Sequence, residues 1–283
     1  MTKAGKTKKA TVQVVKYLVI ALLVCILLFP IWWMLVGSLR PYYTLISLDD
    51  VAFWPKDFTV ENYVKIFSQA KYLRYFANSF IVSGGTVLVT LLIAIPAAYS
   101  FSRFKFGGKS AVLSAVQSVQ MFPIVVILIS LYTFYKQWGM LDTYRGVILA
   151  DVTFALPLSI TLLKSFFDTV PNALDESAKI DGAGRMRTMV QVILPLVLPG
   201  LVAVAIYTFL TAWDDYLMSL TIIRIDEKRT LAVGLAQSFM GEYSNDYGAL
   251  MAFSVAGSLP IVLLFIFFQK YMVEGLTAGA VKG

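Results

Sequence analysis

Tyr17 to Leu39 is a run of 23 residues without a charged side chain, opened by Lys16 and closed by Arg40-Pro41. At about 1.5 Å per residue, a helix of this length crosses a hydrocarbon layer about 30 Å thick with some tilt. The run exceeds the apolar part of a signal peptide, and no small-x-small cleavage site follows it, so it reads as an uncleaved span. Five further apolar runs follow, at about 76–99, 112–135, 146–163, 192–212 and 249–269. In lipid, backbone polar groups must be satisfied within the segment, and runs of this kind do so as helices. The expected fold is therefore an all-α polytopic membrane protein with six transmembrane helices. Composition agrees: charged residues make up 14% of the chain, whereas soluble domains carry roughly a quarter.

The net charge of +7 is not a nucleic-acid footprint, because five of the 24 basic residues (Lys3, Lys6, Lys8, Lys9, Lys16) precede the first span and no later run is as basic. They read instead as an orientation signal for a cytoplasmic N-terminus, residues 1–16. The short connections favour the same arrangement: Arg103, Lys105 and Lys109 stand in the first turn without an acid. Six spans then place both termini in the cytoplasm, with a tail at 270–283. Histidine is absent, which removes the commonest general base and metal ligand. The single cysteine, Cys25, allows no intrachain disulfide.

Several segments carry readings of their own. The loop Arg40–Tyr75 is expected outside, with a short amphipathic helix from Glu61 to about Tyr72. Asn78, Ser79, Ser83, Gly84 and Gly85 suit close helix packing or a polar path. Gly107-Gly108-Lys109-Ser110 resembles part of a phosphate loop, but Arg103 stands where the first glycine is required. Asp151, about a turn and a half into the fourth span, is either a functional intramembrane acid or an acid hydrated near the outer surface.

The stretch from Asp168 to Pro199 is charge-rich yet flanked by membrane-grade runs. Pro171 suits the first turn of a helix, Asn172 and Asp175 are candidate caps, and Asp175 and Glu176 favour the positive end of its dipole. Gly182 is the expected C-cap, dividing two short helices within a loop at 168–191. Leu174, Ala178 and Asp181 share one side, and Ser177 with Ala178 would give a thin surface for another protein. The other reading is a helix lying on lipid, but its acids are unfavourable beside an anionic leaflet.

Glu176-Ser177-Ala178, Gly182 and Leu194-Pro195 are similar to the EAA signature of permease subunits of binding-protein-dependent ABC importers. Ser177 replaces the middle alanine of that signature and Val192 its isoleucine. Asn62-Tyr63, Asn78-Ser79, Phe106-Gly107-Gly108-Lys109, Met121-Phe122-Pro123, Asp181-Gly182-Ala183 and the ending Gly275–Gly283 extend the resemblance over residues 12–283. The chain as a whole resembles the second permease subunit of maltose-type carbohydrate importers, which implies the type I ABC importer permease fold in a prokaryotic cell (inner) membrane.

The resemblance implies partners: a homologous permease subunit, a dimer of ATP-binding cassette ATPase subunits and an extracellular or periplasmic sugar-binding protein. Glu176, Ser177, Ala178, Asp181, Gly182, Ala183, Leu194 and Pro195 would form the coupling-helix region seated on the ATPase. Gly279, Lys282 and Gly283 of the tail would reach the ATPase dimer, and the outer loop Leu217–Tyr247 would contact the binding protein. No cofactor is expected in this chain, since ATP would be bound and hydrolysed by the partner. Trp213-Asp214-Asp215 stands where the family carries Trp-Asn before the acid.

Candidates for a sugar path are Gln117 and Gln120, Thr211, Trp213, Asp214 and Ser254, with Ser114, Met121, Thr208 and Ser258 on the same faces. Interhelical hydrogen bonding is the competing reading for each. Two other classes were weighed. A stand-alone secondary transporter driven by an ion gradient needs intramembrane ionisable pairs, for which only Asp151 is a clear candidate. A membrane-embedded enzyme needs a cluster of acids or metal ligands within the spans, and the sequence offers none.

Overall fold

The computed structural model describes residues 3–46, 53–54, 56–239 and 246–280, and none of these is in a strand. In chain order the helices are α1 (Lys3–Ser38), α2 (Tyr42–Ile46), α3 (Glu61–Phe67), α4 (Ala70–Arg103), α5 (Lys109–Ser118), α6 (Ile124–Gln137) and α7 (Tyr144–Thr169). They continue as α8 (Ala173–Ile180), α9 (Arg185–Arg187), α10 (Leu194–Leu196), α11 (Leu198–Trp213), α12 (Leu217–Ile222), α13 (Leu231–Phe239) and α14 (Tyr247–Ala280). The amphipathic helix after the first loop is thus shorter than expected, since it ends at Phe67 and Tyr72 already belongs to α4.

Among the described residues, four helices are long and apolar enough to cross a membrane alone: α1 from Val12, α4, α7 and α14 up to Tyr271. The third and fifth apolar runs are not single helices. Lys109–Met121 meets Ile124–Gln137 at 97°, and Arg185–Leu196 meets Leu198–Trp213 at 84°. Proline explains both breaks. Pro123 lacks an N–H and drives Phe122 to extended backbone, at φ −81° and ψ 137°. In the fifth run, the N–H missing from Pro199 would have bonded the carbonyl of Pro195, four residues earlier. Leu198 therefore opens a new helix with Pro199 in its first turn, where proline is tolerated. Just before Pro195 the chain widens into a π-helix over Thr188–Ile193, a form concentrated at functional places.

The chain divides into two compact units, Met1–Gln69 with Ser238–Ser258 and Ala70–Gln237 with Leu259–Gly283. In the first unit the side-chain amide of Asn62 donates to the carbonyls of Ser38 and Arg40, both at 2.9 Å. The Ser38 hydroxyl lies 2.7 Å from that of Tyr63, and Lys65 pairs with Asp246. The Asn62-Tyr63 dipeptide thus fastens the exit of α1. The side chains of α1 from Val12 to Ile31 are exposed, and an apolar surface on all sides is the mark of a membrane helix.

In the second unit α4 packs along α7 and α11. Toward the later turns of α4, Ala94, Ala98 and Tyr99 share a buried cluster with Leu163 and Phe167 of α7 and with Met189, Ile193 and Val204. Toward its earlier turns, Val82 shares a second cluster with Tyr135, Val147, Ala150, Met218 and Ile222. Gly85 allows the close approach of α4 and α7, since a Cβ there would lie 2.6 Å from Cδ1 of Ile148. Asp151 is only 4% exposed, because α12 packs back on this part of α7. The expectation of a hydrated Asp151 is therefore corrected: one carboxylate oxygen is buried without a hydrogen-bond partner among the described residues.

Candidate functional site

The stretch after α7 folds as α8, a turn, and α9 running into the π-helix. Three observations explain how α8 ends. Gly182 has φ +77°, its N–H donates to the Lys179 carbonyl at 3.1 Å, and the Ala183 N–H donates to the Ala178 carbonyl at 2.9 Å. Together these bonds make the Schellman arrangement, which satisfies the last carbonyls of a helix. A Cβ on Gly182 would have open space around it, so glycine is required here by backbone torsion and not by crowding.

The start of α8 differs from expectation. Asn172 occupies the N-cap position but makes no capping bond, and Pro171 lies before it, outside the helix. The side chains expected to cap are used to anchor α8 to the end of α4. Asn172 Oδ1 accepts from Nη1 of Arg103 at 2.9 Å, and Nη2 of Arg103 donates to the Val170 carbonyl at 2.9 Å. The third nitrogen, Nε, forms an ion pair with Asp175 Oδ2 at 2.9 Å. The Tyr99 hydroxyl donates to the other oxygen of Asp175 at 2.6 Å. One turn earlier, Asp168 accepts from Ser102 at 2.7 Å and from Lys164 at 2.6 Å.

With this side fixed, the outer face of α8 is defined. Glu176, Ser177, Asp181 and Gly182 are exposed, and Ile180 is 87% exposed. Ala178 is buried at 6% and so does not contribute to a thin outer surface. Its methyl group points to the chain because α8 packs on the π-helix. Leu174 lies at the edge, and Ala183 is half-buried. Leu194 packs on the cluster that holds Leu163 and Phe167, whereas Pro195 is exposed. A cleft of about 500 Å³ opens between α8 and the end of α4, lined by Tyr99, Arg103, Glu176, Lys179 and Arg185 among others. The Arg185 guanidinium lies over the Phe104 ring at 5.0 Å. The site is thus a small polar helix, tied to a long apolar one and presenting an apolar knob ringed by charge. Such a surface suits a protein partner.

A second polar site lies at the other end of α4. The Asn78 amide donates to the carbonyls of Glu227 and Arg229 at 2.9 and 2.8 Å, and its oxygen accepts from the Tyr144 hydroxyl at 2.7 Å. Ser79 accepts from the Leu231 N–H at 2.7 Å, and Tyr75 donates to Asp226 at 2.7 Å. Asp142, at φ +56°, accepts from the backbone N–H of Arg224 at 2.6 Å and from its guanidinium at 2.8 Å. Burial works against charge on Asp142, but these bonds to Arg224, with one from the Ile225 N–H, hold its carboxyl below the ordinary value. The helix-packing and polar-path readings of Asn78 and Ser79 missed this use as loop anchors. The shared asparagine pattern was the available clue: Asn62 and Asn78 each bridge two carbonyls two residues apart.

Two of the candidate sugar-path residues, Gln117 and Gln120, reach α7. Gln117 donates to Thr161 at 3.0 Å, and Gln120 lies 3.5 Å from the Phe154 carbonyl. Trp213 is buried against Phe209, with ring centroids 5.4 Å apart, while Asp214 is exposed at the end of α11. Thr211 and Ser254 bond to carbonyls one turn back in their own helices, at 2.9 and 2.8 Å, as does Ser258 at 2.8 Å. The Thr208 and Ser159 hydroxyls lie 3.4 Å apart between α11 and α7. Gly279 falls in the last helical turns of α14, and Lys282 and Gly283 lie outside the described residues.

The model of the family described as "Binding-protein-dependent transport system inner membrane component" matches residues 74–277. The trehalose/maltose transport system permease protein MalG of Thermococcus litoralis is 36% identical, covering 93% of this chain and 94% of its own. The inner membrane ABC transporter permease protein YcjP of Escherichia coli is 34% identical, covering 94% and 95%. A chain of a bacterial ABC transporter involved in the import of the acidic polysaccharide alginate superposes with a TM-score of 0.83, covering 96% of this chain and 98% of that one at 18% identity. That likeness supports the same permease fold.

Proposed function

The chain belongs to the family of binding-protein-dependent transport system inner membrane components, and on that premise we propose that it carries a sugar across the membrane as one half of an ATP-driven importer. ATP-driven carbohydrate import is the function of its homologues. In this family ATP is hydrolysed by separate subunits, so the chain is not itself an enzyme. A homologous permease completes the pathway, and a sugar-binding protein delivers the substrate, a di- or oligosaccharide. The names of the relatives support a glycan cargo, since one of them belongs to a trehalose/maltose system.

The observation that carries the coupling role is α8 itself: a helix closed by Gly182 at φ +77° and exposing Glu176, Ser177 and Ile180. We assign it as the cytoplasmic coupling helix, with Glu176 directed to a basic group of the ATPase. ATP binding would close the ATPase pair and carry both permeases from an inward-open to an outward-open state. Both termini and the tail containing Gly279, Lys282 and Gly283 then lie on the ATPase side, in a prokaryotic inner membrane, and the loop Leu217–Tyr247 faces the binding protein.

The test uses the co-purified complex in liposomes. Glu176→Lys leaves membrane insertion intact and abolishes stimulation of ATP hydrolysis by loaded binding protein; undiminished stimulation would overturn the coupling assignment. Sugar uptake by this chain alone, driven by an ion gradient without ATP, would favour the secondary-transporter reading instead.

A further inference from the structure

A helix that receives a push from a partner must pass it to a span, and the covalent route from α8 is poor for this. Downstream, α8 reaches α11 only through the Gly182 turn, the π-helix and an 84° bend. Upstream, it joins α7 through Val170, Pro171 and Asn172, which are non-helical in part. The non-covalent route is stiffer. Arg103, at the last turn of α4, has a side chain only 7% exposed and uses all three guanidinium nitrogens on this turn. Nη2 donates to the Val170 carbonyl and Nη1 to Asn172, both at 2.9 Å, while Nε lies 2.9 Å from Asp175 Oδ2 as an ion pair without an aligned hydrogen bond. A planar fork with two directed hydrogen bonds fixes orientation as well as distance, which a lysine ammonium does not. Its partners fall on both sides of the α7–α8 turn, so one side chain binds the end of α7, the start of α8 and the end of α4 into a single body.

We infer that Arg103 is a positioning residue for energy coupling: the joint through which α4 follows α8 when the ATPase moves. The inference rests on the assignment of α8 as the coupling helix. Asp175 is its main counterpart, and Tyr99 fixes the other oxygen of that carboxylate. Glu176, the next residue in sequence, is exposed on the rim of the cleft and is left for the partner.

The experiment follows α4 directly in the co-purified complex. A spin label on Leu92→Cys, in a Cys25→Ser background, reports the surroundings of α4 with and without ATP and orthovanadate. A photoreactive thiol reagent on Ser177→Cys reports in parallel whether α8 is docked on the ATPase. In the parent complex, ATP–vanadate changes the Leu92 label spectrum and the label at 177 cross-links to the ATPase. Arg103→Gln is expected to keep the cross-link and to lose the spectral change about ten-fold, a size usual for coupling between sites. Arg103→Lys should recover only part of the change, because it restores the charge and not the fork.

A full spectral change in Arg103→Gln would overturn the inference. Absence of a cross-link from position 177 in the parent complex would instead overturn the coupling-helix assignment. If Arg103→Gln does not assemble, Asp175→Asn cuts the same joint from the α8 side and is read by the same criteria.

Discussion

The two ends of α4 perform similar tasks with different chemistry. At its early turns Asn78 and Ser79, 2% and 1% exposed, hold the chain at 227–231 through neutral hydrogen bonds to its backbone. At its last turn Arg103 and Tyr99 hold the α7–α8 turn mainly through charge, with Asp175 as the acid. Neutral bonds in a buried place depend little on salt or pH, and leaving their partners unpaired is costly. Charge-assisted bonds are stronger than neutral ones, and they depend on the charge of both partners. The first end therefore resembles a fixed mount, and the second a joint that holds while the helices it ties move together. On the proposed assignment, the first end would serve where cargo arrives and the second where force enters.

The mount should be the more costly end to break. Asn78→Ala removes three hydrogen bonds and leaves two part-buried carbonyls and the Tyr144 hydroxyl without their partner. The expected loss is about 2–4 kcal/mol of stability, to be measured as thermal unfolding of the purified chain in detergent. A loss as small as that of an exposed pair would erase the contrast between the ends. Gly182→Ala comes next, because alanine at φ +77° costs about 1–2 kcal/mol. That loss should appear as faster amide exchange in the last turn of α8, with little change around Asn78.

The smallest effect concerns Asp142, where the sign follows from its lowered pKa. Its ion pair and backbone bonds stabilise the fold above the unfolded carboxylate value of about 3.9. This contribution is lost as the pH falls through the lower folded value. The difference in melting temperature between the parent chain and Asp142→Asn should therefore be constant near neutrality and shrink below about pH 4. A difference unchanged down to about pH 2 would show that the carboxylate charge contributes nothing there.

Much of this arrangement was legible in the sequence, for identifiable reasons. Charge-free runs announce spans by length alone, and Gly182 announces a helix end because few residues adopt positive φ. The breaks at Pro123 and Pro199 were less readable, since proline can also kink a membrane helix without ending it. Long-range polar contacts were not readable at all. Arg103 looked like an ordinary basic residue in a turn, and Asp175 like a charge suited to a helix start, because nothing local reveals that they meet across 72 positions. The same limit applied to Asn78 with Glu227 and Arg229. Asp151 was ambiguous because its hydration depended on α12, which covers it from more than 60 residues away.

In the proposed complex α8 faces the ATPase while the loop beyond α12 faces the binding protein. This arrangement is tested most directly by cross-linking from two exposed positions, Ile180→Cys and Glu227→Cys, in the assembled complex with ATP and sugar-loaded binding protein. The account predicts products with the ATPase from position 180 alone and with the binding protein from position 227 alone. Capture of the binding protein from position 180, or of the ATPase from position 227, would contradict it.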